Sequence, residues 1–190
     1  TFVYDVGAGI GTRTVALSKM AAVIAFEHNE DKLKVLKMNT QGKIAPNVMI
    51  VPKSLETTDP HAKDIPNLDG QLMQLPEPTL VCISGDSTRV LRGMTATMML
   101  IKPVIYIDIA NTEDISYQYS ILVERGYKMY WYSCPGFNLN NFKEKQLNIT
   151  ADSFYMNILA IHEDVDIHDG GIDLPRIDGP NDNWKRFNND

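Results

Sequence analysis

Seven residues near the amino terminus restrict the fold more than any other part of the chain: Asp5-Val6-Gly7-Ala8-Gly9-Ile10-Gly11. They follow an apolar stretch, residues 1–6, that reads as a strand, and they precede residues 12–20, where Val15, Ala16 and Leu17 give a helical apolar face. A strand that turns through glycines into a helix lets backbone approach a ligand, because glycine has no Cβ and tolerates positive φ. The free N–H groups of the helix start then face the ligand's negative end. A nicotinamide-binding turn requires G-x-G-x-x-G, and Thr12 stands where its third glycine belongs, so the spacing argues against a dinucleotide.

The strand-helix alternation continues. Residues 23–26, 47–51, 79–83 and 103–109 read as further strands, and 31–38, 87–99 and 113–125 as helices, with Asn29 a plausible N-cap and Gly126 a stop. Residues 127–133 and 157–162 read as two late strands that pair antiparallel at the sheet edge. The five prolines between 52 and 78 mark an irregular connection. Repeated strand-helix units predict a doubly wound, Rossmann-like α/β fold: a seven-stranded, mostly parallel sheet with an antiparallel edge strand, helices on both faces and a ligand at the carboxyl ends of the strands. The expected organisation is one ligand-binding domain over residues 1–162 and an acidic tail or lid over 163–190.

With 190 residues, 44% hydrophobic and 22% charged, the chain has the size and composition of one globular domain. Its formal charge of −6 is uneven: residues 151–190 hold nine acids and three bases, while residues 1–150 hold fifteen of each. An acidic tail on a neutral body disfavours polymeric nucleic acid as partner and favours a small or neutral substrate. No apolar run reaches the roughly 18 residues of a membrane span, and no basic-then-apolar leader opens the chain, so a soluble, cytoplasmic protein is expected. Thr1 in place of an initiator Met leaves open a processed, a trimmed or an incomplete chain, and with these a missing amino-terminal element. Cys82 and Cys134 lie in apolar strand-like segments without metal-ligand spacing and read as reduced core thiols.

Glu27 ends the second strand, twenty residues beyond Gly7, where a carboxylate can accept both hydroxyls of a ribose. Glycine turn and acid together point to a nucleoside. At these residues the chain resembles the class I S-adenosylmethionine-dependent methyltransferases, through Val3–Gly11 and Glu27, and more narrowly the FkbM family. The narrower likeness rests on residues 5–19, 23–39, 80–93, 102–109 and 157–161 and leaves 52–79 poorly matched. It implies methyl transfer to oxygen, commonly a sugar or polyketide hydroxyl, with S-adenosylmethionine as cofactor and a small-molecule or glycan acceptor. By that resemblance the backbone of Gly7, Ala8 and Gly9 holds the methionine moiety, Asp5 orders the turn and Glu27 binds the ribose. Ser54 borders the adenine; His28, beside Glu27, can touch the cofactor or serve only as a surface residue.

The FkbM pattern after strand four is K-x-D-x-E-G, and here the aligned residues are Cys82-Ile83-Ser84-Gly85-Asp86-Ser87. Ser84 replaces the family's Asp on the cofactor side, and Asp86 replaces its Glu. Asp86 is therefore the leading candidate for orienting the acceptor hydroxyl and taking its proton, with capping of the Ser87 helix as its alternative role. Asp86, Asp108 and Asn111 also offer hard oxygen ligands of the kind Mg²⁺ prefers, but no metal site is assigned. His162 ends the last strand as a candidate base or a solvated histidine, and His61 and His168 carry no zinc pattern. Tyr127, Tyr130, Trp131, Tyr132 and Phe137 can stack on a sugar or pack the sheet edge, and Trp184 can close over substrate or dock the terminus.

Overall fold

The computed structural model describes residues 1–55, 67–72, 74–109, 115–135, 154–166 and 173–184. The seven strands are β1 (Phe2–Val6), β2 (Ala22–Phe26), β3 (Val48–Val51), β4 (Leu80–Ile83), β5 (Val104–Asp108), β6 (Tyr127–Pro135) and β7 (Phe154–His162). They form a single sheet in the order β3-β2-β1-β4-β5-β7-β6. The first five run parallel, and β7 lies antiparallel between β5 and β6. This is the expected doubly wound, Rossmann-like α/β architecture. The antiparallel strand, however, sits one position in from the edge, which β6 occupies.

Alternation along each strand sorts the core into two layers. Tyr4, Val6, Ile24, Phe26, Val81, Ile83, Ile105 and Ile107 face one side, where they meet α3 (Leu68–Gln71), α4 (Ser87–Arg92) and α5 (Ser116–Val123) through Leu68, Val90, Leu91 and Leu122. Val3, Val23, Ala25 and Cys82 face the other side, covered by α1 (Thr12–Leu17) and α2 (Glu30–Thr40) through Leu17, Leu33 and Leu36. On this second face the residues of β5 (Val104, Tyr106 and Asp108) are only half-buried.

Local chemistry explains the element ends. α2 starts where Asn29 Oδ1 accepts from the N–H groups of Asp31 and Lys32, at 3.1 and 3.0 Å. α1 stops at Leu17, three residues before its expected end: the Ser18 hydroxyl donates to Val15 O at 2.8 Å, and a tight turn takes the chain to Met20. The single helix expected over 87–99 is two elements, α4 and a π-helical turn at Thr97–Ile101. α4 ends at Gly93, and the π-turn is pinned from outside. Asp69 of α3 accepts from Ala96 N–H, Thr97 N–H and the Thr97 hydroxyl at 2.9, 2.8 and 2.7 Å. α3 itself lies in the stretch read as irregular and is anchored by the fully buried Leu68.

Residues 173–184 of the acidic segment run along the outer edge of β6. Trp131 N–H donates to Pro175 O, Ile177 N–H donates to Met129 O, and Ile177 is buried. Trp184 packs edge-on against Phe154, with ring centroids 6.0 Å apart. Among the described residues, no helix is long and apolar enough to cross a membrane. Both cysteines are free, Cys82 buried and Cys134 half-buried.

Candidate functional site

At the carboxyl ends of β1, β2 and β4 a cleft opens, lined by Val6, Gly7, Phe26, Glu27, His28, Lys32, Lys53, Ser54, Leu55, Ser84 and Gly85. It lies where strand order reverses between β1 and β4, the position at which open α/β sheets take ligands. Gly7 adopts φ +73°, and a Cβ there would stand 2.3 Å from Ser84 O. Only glycine therefore lets the turn pass this close to the end of β4.

The turn is closed from within. The N–H groups of Gly7 and Ala8 both donate to Phe26 O at 3.0 Å, Gly11 N–H donates to Ala8 O at 3.0 Å, and Gly9 N–H donates to Glu27 Oε2 at 2.9 Å. The expectation that the main-chain amides of Gly7–Gly9 face a ligand is corrected here, because all three are engaged inside the fold. Glu27 is 5% exposed and also accepts from the N–H groups of His28 and Asn29 at Oε1, each at 2.8 Å. Three N–H donors thus hold its carboxylate, which leaves Oε2 with room for a further donor at the cleft.

Asp5 is fully buried, with Oδ1 on the Arg13 guanidinium (Nε at 2.9 Å, Nη2 at 2.5 Å) and Oδ2 on the Thr14 hydroxyl at 2.6 Å. It ties the start of α1 to β1. Arg13 also donates to Ser84 Oγ at 3.0 Å and lies over the Tyr106 ring, 5.9 Å from its centroid. Burial is the strongest single influence on Arg13 and lowers its pKa, but the Asp5 carboxylate and smaller contributions from Cys82 and Tyr106 together hold the guanidinium above its ordinary value. The same surroundings push Cys82 up to about 12, chiefly through burial, so its thiol stays neutral.

The structure therefore gathers Gly7, Glu27, His28, Ser54 and Ser84 at the cleft, with Gly9 touching Glu27 and with Ala8 and Asp5 behind the turn. Asp86 is placed elsewhere. It is the N-cap of α4, accepting from Arg89 N–H at 3.1 Å and pairing with Arg89 Nε at 2.9 Å, and it does not line the cleft. Both of its oxygens serve the helix, so its assignment as proton acceptor gives way to the capping role. Asn111, His61, His168 and Phe137 lie outside the described residues. Among the described residues no group of three or more His, Cys, Asp or Glu side chains clusters as a metal site. His162 is buried edge-on against Tyr127 at 5.2 Å, on the far strands from the cleft.

Sequence reasoning missed Arg13, Lys32 and Lys53. Arg13 carried a signal: a cation in the first turn of a helix opposes the macrodipole and needs a nearby acid, which Asp5 supplies.

No family model matches the sequence, and no curated protein matches it. Solved structures do. A precorrin-6y C5,15-methyltransferase from Geobacter metallireducens GS-15 superposes at TM-score 0.56 and 17% identity, covering 84% of this chain and 80% of that one. A methyltransferase FkbM from Methylobacillus flagellatus KT superposes at 0.58 and 17%, covering 83% of this chain but 42% of that one, so the present chain spans under half of that protein. A precorrin 8w decarboxylase from Methanobacterium thermoautotrophicum superposes at 0.53 and 15%, covering 84% and 79%. This is the class I methyltransferase fold. Identities this low speak for the fold alone. Among the described residues, the cleft above β1, β2 and β4 combines apolar and polar groups at the carboxyl ends of the strands. Val6, Phe26 and Leu55 give it apolar walls, Glu27 an acceptor, and Lys32, Lys53 and His28 a basic rim.

Proposed function

We propose that this chain binds S-adenosylmethionine in the cleft and transfers its methyl group to a hydroxyl of a carbohydrate or glycan, as an FkbM-like O-methyltransferase. The carrying observation is Glu27, held at the end of β2 by three N–H donors with Oε2 toward the glycine turn. In the proposed complex Glu27 accepts a ribose hydroxyl. Val6, Phe26 and Leu55 flank the base, Ser54 and His28 border it, and Gly7 and Ser84 line the path of the amino-acid part. When bound, the cofactor supplies an activated methyl group. The chain's own task is then to hold an acceptor oxygen in line with that methyl, about 3 Å away, and to remove its proton. A small or glycan acceptor, rather than nucleic acid, fits the acidic carboxyl-terminal segment. The FkbM assignment and the sugar acceptor rest on the sequence resemblance.

Calorimetry with S-adenosylhomocysteine tests the reading: micromolar binding by the folded protein is expected, and no heat of binding overturns it. A second reading keeps the cofactor but not catalysis, and is favoured by the engagement of Asp86 with Arg89. Under it, binding persists while no hydroxyl is methylated across a glycan panel.

A further inference from the structure

Register places four polar side chains in one row, across the carboxyl ends of β4, β5 and β6 and the amino-terminal half of the antiparallel β7. Ile83 pairs with Ile107, so Ser84 follows onto Asp108; Asp108 pairs with Asn157, and Asn157 pairs with Tyr132. Directly paired residues share a face, so Ser84, Asp108, Asn157 and Tyr132 all project to the side of α1 and α2. Contacts fix that face independently: Ser84 Oγ lies 3.4 Å from Asp108 Oδ2, Arg13 joins Ser84 while lying over Tyr106, and Tyr106 meets Tyr132 edge-on at 6.2 Å.

The row begins at the cleft, since Ser84 lines it beside Gly7, and with strands about 4.8 Å apart it runs about 14 Å outward to the edge strand. Its chemistry suits an acceptor carrying several hydroxyls. Asp108 takes hydrogen bonds, Ser84 gives and takes them, and the edge-on Tyr106 and Tyr132 rings, inclined at 75°, form an apolar corner for a C–H face. Asn157 is 2% exposed, with Nδ2 turned to Tyr155 O at 3.3 Å, so its amide is held in place rather than waving in solvent.

We infer that this row is the acceptor track, with Asp108 as the catalytic residue that takes the proton of the reacting hydroxyl; the assignment rests on the methyltransferase reading above. The acceptor oxygen forms a bond to the methyl carbon as the carbon–sulfur bond of the donor breaks. The electron pair stays on sulfur, and the hydroxyl proton passes to the Asp108 carboxylate and on to water. Tyr132 holds the remainder of the acceptor, and the buried Asn157 is a positioning residue beneath the row.

The test pairs an activity with a binding readout. Wild type, Asp108→Asn and Tyr132→Phe are supplied with S-adenosylmethionine labelled in the methyl group and a mixture of methyl glycosides of glucose, galactose, mannose, rhamnose and xylose. Each protein is separately titrated with S-adenosylhomocysteine. Asp108→Asn is expected to lose about 100-fold in kcat while binding S-adenosylhomocysteine as wild type does. Tyr132→Phe is expected to raise the glycoside KM several-fold with kcat nearly unchanged. Equal turnover in Asp108→Asn overturns the track alone, whereas a wild type that binds S-adenosylhomocysteine but labels no glycoside overturns methyl transfer to glycans in favour of the binding-only reading, and the track with it. A wild type that fails to bind S-adenosylhomocysteine overturns the underlying reading and the track with it.

Discussion

A methyl group added at Gly7 meets Ser84 O at 2.3 Å, whereas one added at Gly9 meets nothing within 4 Å. Both residues hold positive φ, so each alanine substitution carries about 1–2 kcal/mol of backbone strain, but only Gly7→Ala adds a clash with backbone that has no room to give. Gly7→Ala is therefore expected to lower the melting temperature well beyond Gly9→Ala; equal losses in a thermal melt would contradict the close approach of β1 and β4. Asp86 yields a second expectation. As an N-cap, its replacement by Ala costs about 1 kcal/mol of stability, or about 2–4 °C in Tm for a domain of this size, and spares the affinity for S-adenosylhomocysteine. A variant with unchanged Tm and abolished methyl transfer would restore Asp86 as the base. The residues themselves explain what sequence reasoning could reach. Gly7 and Glu27 were legible because a glycine turn and a strand-end acid hold fixed positions in a strand-turn-helix unit. The partners that use up the amides of Gly7, Ala8 and Gly9 were not, since Phe26 O and Glu27 Oε2 arrive through the neighbouring strand.

Strands could be read to within three residues of their ends, because apolar runs bounded by turn residues depend on local pattern alone. The helical layer beyond β4 could not. Whether residues 87–101 form one helix or two is decided by Asp69, roughly thirty positions upstream, whose carboxylate seats Ala96 and Thr97. Removing it strands two N–H groups and a hydroxyl, at a cost of about 1–3 kcal/mol. Asp69→Ala should lower the urea midpoint accordingly and raise amide exchange at Ala96 and Thr97 while β1 and β2 stay protected. Uniform exchange across the sheet would mean that the π-turn is not a separate seat. The order of the late strands was likewise out of reach. Antiparallel pairing of 127–133 with 157–162 follows from their patterns, but the insertion of β7 between β5 and β6 requires knowing which edge of β5 is open.

For the molecule as a whole, buried groups that resist ionising set the alkaline limit. Cys82 and Tyr4 are each pushed up to about 12 by burial, from 9.0 and 10.0. The unfolded chain releases these protons first, so between pH 9 and 12 the folded state binds more protons than the unfolded one and stability falls as pH rises. Tm is expected to be flat below pH 8 and to decline steadily above 9, with a shallower decline in Cys82→Ala; a flat profile to pH 11 would contradict the burial. The strand order carries one more consequence, for biosynthesis. Of the seven described strands, the last to leave a ribosome, Phe154–His162, is an interior member of the sheet, so β5 and β6 exist as nascent chain before the strand that separates them. Until residue 162 emerges, β5 presents an unpaired edge to the cell, and direct β5–β6 zippering is the misassembly this topology must outrun.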